Sequence, residues 1–294
     1  MSPANGRLSK YFHPCLDEVA HRKVGRIHLP VAPLCNIHCN YCERRLGCAN
    51  EHRPGTAAKV ISPVEAVEVA ERALSADPRN RVIGIAGPGD PLANEATFET
   101  LKRVRDKFSD ITRCVCTNGL YLPQNVSRLK ALGVQHLTIT MNAVDAEIGA
   151  RVHPFVRIGE LINRGLDGIK LLQKNQQLGL KEAARNGMII KINSVIIPEV
   201  NMLHLPEVAK KVKELGAHIM NLMPLIPLGR FKNLRPPTCE ELRDIREECE
   251  KYMPQFRACI QCSADAIGVP GESRSVNSCS INPNADTLVS LSSN

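Results

Sequence analysis

The stretch that decides the fold is Arg26-Ile-His-Leu-Pro-Val31 followed by Cys35-Asn-Ile-His-Cys39-Asn-Tyr-Cys42: a short apolar run that delivers the chain into three cysteines spaced CxxxCxxC. The run reads as a first β-strand, so the triplet sits on the loop after it. Three thiolates on one tight loop can hold three irons of a [4Fe-4S] cluster and leave the fourth iron without a protein ligand, open to a small molecule. A structural zinc site is the competing reading, but zinc motifs favour CxxC pairs.

Outward from the triplet the sequence alternates. Helices are expected at about 63–75, 95–107, 124–132 and 206–215, with a long helical stretch around 159–178. Strands are expected at 82–86, 112–117, 136–141, 188–197 and 218–222. About six βα units result. Parallel strands need right-handed crossovers, and functional loops gather at strand C-termini. The expectation is an α/β fold, a partial (β/α)6 TIM-like barrel with an N-terminal arm (1–25) and a C-terminal cluster-binding tail. The barrel is assigned to 26–252, covered by a Glu/Arg-rich helix at 238–251; the cluster-binding segment is 253–272, and 273–294 is Ser/Asn-rich and read as a flexible tail.

Composition narrows the function. A chain of 294 residues with twelve cysteines can build its core without disulfide staples, so metal or cluster ligation is the leading use of the thiols. The formal charge is +8, yet the basic residues are scattered, Trp is absent and aromatics make up 3% of the chain, which argues against a nucleic-acid surface. No apolar stretch approaches the roughly 18 residues of a membrane span or forms a signal segment, so a soluble cytoplasmic protein is expected, with no membrane partner.

The CxxxCxxC spacing closely resembles the radical S-adenosylmethionine superfamily. That resemblance implies S-adenosylmethionine chelated by the open iron and cleaved by one electron to a 5'-deoxyadenosyl radical. Tyr41 would lie near the adenine, and the Gly87-Pro-Gly89-Asp90-Pro91 loop would meet the cofactor's amino group. Thr117, Asn118, Asn142 and Asn193 are placed as polar contacts at the rim, although each could serve turn chemistry instead.

Nine cysteines remain. The N-terminal His13-Pro-Cys15, Cys48 leading into Glu51-His-Arg53-Pro-Gly55, the GPGDPLAN loop, Cys114-Val-Cys116-Thr-Asn-Gly119 and Cys259-Ile-Gln-Cys262-Ser-Ala-Asp-Ala-Ile-Gly268 together resemble the NifB family of nitrogenase cofactor maturases, over about residues 7–270 and in its short stand-alone form. The resemblance implies two further [4Fe-4S] clusters as substrates, fused with an added sulfur and a carbide derived from S-adenosylmethionine into an eight-iron precursor. It places Cys15, His28 and Cys114 on one cluster and Cys48, Cys259 and Cys262 on the other. A ferredoxin or flavodoxin would supply electrons, an iron-sulfur donor the clusters, and a carrier or scaffold such as NifEN would take the product.

The residues alone leave alternatives open. His28 on a short strand could be a hydrogen-bonded core histidine, and the Cys259/Cys262 pair a zinc half-site or redox pair. Cys116 shares a strand face with Cys114, so the choice of Cys114 rests on the family's spacing. Glu51 is a catalytic candidate, for proton handling or for steadying a cluster, against a plain ion pair to Arg53; His28 is placed with it as a labile ligand. Cys239, Cys249 and Cys279 match no motif and read as ordinary thiols. Other functions remain possible: a radical enzyme acting on an organic or RNA substrate, or a non-catalytic iron-sulfur scaffold.

Overall fold

The computed structural model describes residues 12–48 and 50–272. Six strands form the frame: β1 (Gly25–His28), β2 (Asn80–Ile85), β3 (Thr112–Thr117), β4 (Val134–Thr140), β5 (Ile189–Ile196) and β6 (Ile219–Pro224). Each is followed by a helix: α1 (Pro63–Ala76), α2 (Glu95–Lys107), α3 (Leu122–Ala131), α4 (Gly165–Arg185), α5 (Leu205–Glu214) and α6 (Cys239–Glu250). All neighbouring pairs among the six strands are parallel. A short β7 (Ile267–Gly268) joins β1 antiparallel, giving the order β6-β5-β4-β3-β2-β1-β7. The partial (β/α)6 barrel expected from the sequence is present.

The period-2 alternation of strands divides the frame into two faces. Ile27, Ile83, Val115, Leu137, Ile139, Ile190 and Ile192 face the helices and form one continuous apolar core with Leu101, Val126, Leu180 and Val208. Helix starts are set locally: Ser62 and Glu65 make a reciprocal capping box at α1, as do Thr238 and Glu241 at α6. The opposite face is unusually polar for a barrel lumen, which ordinarily packs Val, Ile and Leu. Arg26, His28, Cys114, Cys116, Thr138, Lys191 and Asn193 all line a cavity there.

Six strands leave the barrel open between β6 and β1, and the two chain ends close it. The segment after α6 starts at β6, where Gln255 bridges Met220 and the Phe256 amide donates to the Met220 carbonyl. It ends at β1, where Arg26 pairs with Gly268. Cys259 and Cys262 lie on the crossing between. The arm packs against the start of this crossing: Leu16 packs on Ile219 and Phe256, and the His13 ring lies 4.7 Å from that of His136.

Two expectations are corrected. The stretch from Gly159 is not helical throughout: Phe155–Ile158 and Leu161–Arg164 form an antiparallel hairpin, and the helix begins only at Gly165. Gly159 and Gly165 take positive φ values of 56° and 60°, which break a right-handed helix on either side of the second strand. The hairpin's first strand pairs with Ile37–His38 inside the cysteine triplet. The tail assigned to 273–294, with Cys279, lies outside the described residues. Cys249 is buried in the core, whereas Cys239, exposed at the first turn of α6, is disulfide-bonded rather than an ordinary thiol.

Candidate active site

The triplet occupies the loop between β1 and α1. The Cys42 amide donates to the Cys39 carbonyl (2.9 Å), Asn40 is tied to Val152, and the hairpin holds Ile37 and His38 from the side. All three thiols line one cavity of about 300 Å³. Burial pushes the Cys35 thiol up to about 11 and raises Cys39 and Cys42 as well. In the metal-free protein these groups hold their protons, so iron must displace them, and loading is favoured by rising pH.

The loop after β2 is pressed against the cysteine loop. The Gly89 amide donates to Ala32 (2.6 Å) and the Asp90 amide to Leu34 (2.8 Å). A Cβ on Gly89 would stand 2.2 Å from the Leu34 carbonyl oxygen, so no other residue fits there. Asp90 is buried and accepts from the Thr117 hydroxyl (3.0 Å) and the Asn118 amide (2.6 Å). Burial nevertheless lifts its carboxyl to about 6. Asp90 thus clasps the loop after β2 to the loop after β3. Asn118 reaches the triplet, donating to Asn36 (2.7 Å) with its amide 3.9 Å from the Cys35 sulfur.

Of the other rim residues, Tyr41, Gly89, Asp90, Thr117, Asn118 and Asn193 line the cavity. Gly87 and Asn142 do not. Asn142 is buried behind Tyr41, donates to its hydroxyl (2.9 Å) and accepts from the Val195 amide (2.8 Å), so it orients the tyrosine. Asn193 accepts from Asn221 (3.1 Å).

Deeper in the lumen the arm, β1, β3 and the tail bring Cys15, His28, Cys114, Cys116, Cys259 and Cys262 to the same cavity. Gly84 on β2 makes the room: a Cβ there would lie 2.8 Å from the Cys114 sulfur and 3.1 Å from the His28 ring. The space above Gly84 is therefore shared by His28 and Cys114, whereas Cys116 faces Thr138. His28 Nδ1 lies 3.1 Å from the Ser263 carbonyl. That contact, in which Nδ1–H donates to the carbonyl, fixes the orientation of the ring. Cys262 stands 4.0 Å from the same imidazole. Burial works to raise its thiol, but His28 and Arg26 outweigh it and bring it down to about 6, while Cys259 is pushed up to about 11.

Two further candidates, besides Gly87 and Asn142, are not brought to the cavity. Cys48 is exposed on the following loop. Glu51 accepts from Arg53 Nε at 2.6 Å, the ion pair that was its plain alternative. Arg53 does line the cavity, and its Nη2 is buried without a partner. An unpaired guanidinium N–H is costly unless an anionic group meets it. That donor, with three converging thiols and a glycine-formed cradle, suits a cluster whose open iron carries an amino acid such as S-adenosylmethionine. Lys191, also on the lumen face, escaped the sequence reading. Its signal was a lysine two residues before Asn193 in an otherwise apolar strand, MIIKINSVII.

Comparison with known proteins agrees with this geometry. The family model of the Radical SAM superfamily matches residues 29–212. FeMo cofactor biosynthesis protein NifB of Methanocaldococcus jannaschii is 50% identical over 258 residues, 87% of this chain and 86% of that protein. NifB of Azotobacter vinelandii is 44% identical over 279 residues, 92% of this chain and 55% of that longer protein. Among solved structures, Streptococcus suis SuiB superposes with a TM-score of 0.59 at 12% identity, covering 79% of this chain and 48% of that one, a likeness of fold alone. The chain therefore belongs to the Radical SAM superfamily and, within it, to the family of the FeMo cofactor biosynthesis protein NifB.

Proposed function

We propose that this chain makes the eight-iron precursor of the nitrogenase cofactor by joining two [4Fe-4S] substrate clusters around a carbide derived from S-adenosylmethionine, with one added sulfur. The observation that carries the reading is a single cavity in which the radical triplet faces a second population of thiols and an imidazole contributed by both chain ends. An enzyme acting on an organic substrate has no need of so many soft ligands in its lumen.

Bound at the triplet, a [4Fe-4S] cluster with S-adenosylmethionine supplies reductive cleavage and a methyl donor. The chain's own residues do the rest. Cys35, Cys39 and Cys42 leave one iron open. The loop through Pro88 and Gly89 would meet the amino group, Arg53 would offer its unpaired N–H to the carboxylate, and Tyr41, held by Asn142, would lie on the adenine side. Thr117, Asn118 and Asn193 provide polar contacts. Cys15, His28 and Cys114 hold one substrate cluster, and Cys259 and Cys262 hold the other, with Cys48 joining from its exposed loop. Three ligands per cluster leave each one releasable, and an imidazole exchanges more readily than a thiolate. Glu51 steadies Arg53 by the ion pair. A ferredoxin or flavodoxin supplies electrons, an iron-sulfur donor the substrate, and a scaffold of the NifEN kind receives the product.

The test is anaerobic reconstitution followed by dithionite and methyl-labelled S-adenosylmethionine. Label retained in an extractable iron-sulfur cluster, alongside S-adenosylhomocysteine and 5'-deoxyadenosine, is the expected result. Formation of 5'-deoxyadenosine with no label in any cluster would leave the radical site standing and remove the maturase reading.

A further inference from the structure

Lys191 projects from the middle of β5 into the lumen, between Thr138 of β4 and Ile219 of β6 in register. It is 4% exposed, in a part of the barrel that normally holds branched aliphatics. Its ammonium stands over the Phe256 ring of the tail, 5.5 Å from the centroid. A buried ammonium is costly without an anionic partner. Two carboxylates line the cavity, and both are committed elsewhere: Glu43 accepts from Arg45 at 2.8 Å, and Asp90 is held by Thr117 and Asn118. None of the ion pairs among the described residues includes Lys191.

What surrounds the ammonium is sulfur. Cys15 of the arm, Cys116 of β3 and Cys259 and Cys262 of the tail line the same cavity as Lys191. Cys114 is a further thiol of the same cavity, and His13, His21 and Arg26, which also line it, are basic. Cys15 belongs to one proposed substrate-cluster set and Cys259 and Cys262 to the other, so Lys191 stands where the two sets meet. An ammonium has three N–H donors and no acceptor, which suits the sulfide faces of an anionic cluster.

We propose that Lys191 is the counter-charge of the iron-sulfur substrate, binding the sulfide face of the anionic clusters from both sides of the lumen and holding them together as they are joined. The inference rests on the maturase reading above and gives its substrate site a residue that ligates no iron. A positive group at this place raises the reduction potential of a nearby cluster and slows its loss. In the metal-free protein the same group is a buried charge without a carboxylate.

The experiment uses the full chain with Cys35, Cys39 and Cys42 replaced by Ala, so that all bound iron is lumen iron, and compares Lys191 with Lys191→Met and Lys191→Arg. Three quantities are read: the midpoint potential of the bound clusters by EPR-monitored titration, the rate of iron loss to a chelator, and the thermal midpoint of the metal-free protein. Lys191→Met is expected to move the potential downward and to lose iron about tenfold faster, Lys191→Arg to restore most of both, and the metal-free Met variant to melt no lower than its parent. If the parent holds iron and Lys191→Met changes neither potential nor chelation rate, the counter-charge falls while the maturase reading stands. A metal-free Met variant that melts well below its parent assigns Lys191 a packing role and overturns the proposal. A parent that binds no lumen iron overturns the maturase reading, and this inference with it.

Discussion

The rim and the lumen of the cavity gather their sulfur by opposite means. At the rim, three thiols come from eight consecutive residues, Cys35 to Cys42, and one loop brings them together. In the lumen, Cys15, Cys114, Cys116, Cys259 and Cys262 come from the arm, a central strand and the tail, and meet only because the barrel is complete. A local ligand set survives small shifts of the frame, whereas a set assembled over such separations depends on every strand between its members. The rim suits a resident cluster, and the lumen suits a site that must receive and release.

The largest expected effect separates the two directly. Replacing Cys35, Cys39 or Cys42 by Ala should abolish 5'-deoxyadenosine formation and remove about four irons per chain, leaving lumen iron in place; loss of all iron together would mean that the two regions are one unit. The converse change, Cys262→Ala or Cys15→Ala, should lower label incorporation into clusters about tenfold or more while cofactor cleavage persists. Product assays and nucleoside analysis on the same samples distinguish the two.

Two glycines sharpen the comparison at smaller cost. Gly89→Ala drives a Cβ against the backbone oxygen of Leu34, which cannot rotate away, and should destabilise the protein by about 1–3 kcal/mol and impair cofactor cleavage. Gly84→Ala meets the Cys114 sulfur and the His28 ring instead. It should spare cleavage and weaken lumen loading, so equal damage by both to both activities would erase the distinction.

The smallest effect is one of pH. His153 sits behind Asn142 (3.4 Å), and burial drops it to about 4. Below the unfolded value of 6.5 the unfolded chain takes a proton that the fold refuses. The site's contribution is therefore whole above that pH and is lost as pH falls toward 4, with a ceiling on the order of 3 kcal/mol. The urea midpoint of the metal-free protein should fall between pH 7 and pH 5, and His153→Gln should flatten that fall. A parallel decline in both proteins would assign the acid sensitivity to other groups.

The same contrast explains what could be read from the chain before its fold was known. The triplet, the βα alternation and the GPGD loop are local patterns, and each lies where its pattern implied. The hairpin at 155–164 was hidden because VRIGELINR fits a helix as well as two strands until Gly159 and Gly165 are seen with positive φ. Asn142 was legible as a polar residue ending β4, but not as a support for Tyr41 rather than a rim contact, because that depends on a side-chain direction set by β5. Lys191 was legible only in part: it stands two residues before Asn193 and shares its face, but a charged residue in an apolar strand says little until that face is known to be the inner one. Periodicity could not choose between Cys114 and Cys116, and the space left by Gly84, a residue thirty positions away, distinguishes them.

The crossing of the tail also divides the site by how much of the chain each part needs. Arg26 donates to the Gly268 carbonyl across 242 positions of sequence. A chain ending at α6 would carry all six parallel strands and the entire triplet, yet lack one wall of the chamber. Such a chain would hold every rim ligand and neither Cys259 nor Cys262. The two regions therefore differ in how much of the sequence each needs: the rim is complete without the tail, and the lumen is not.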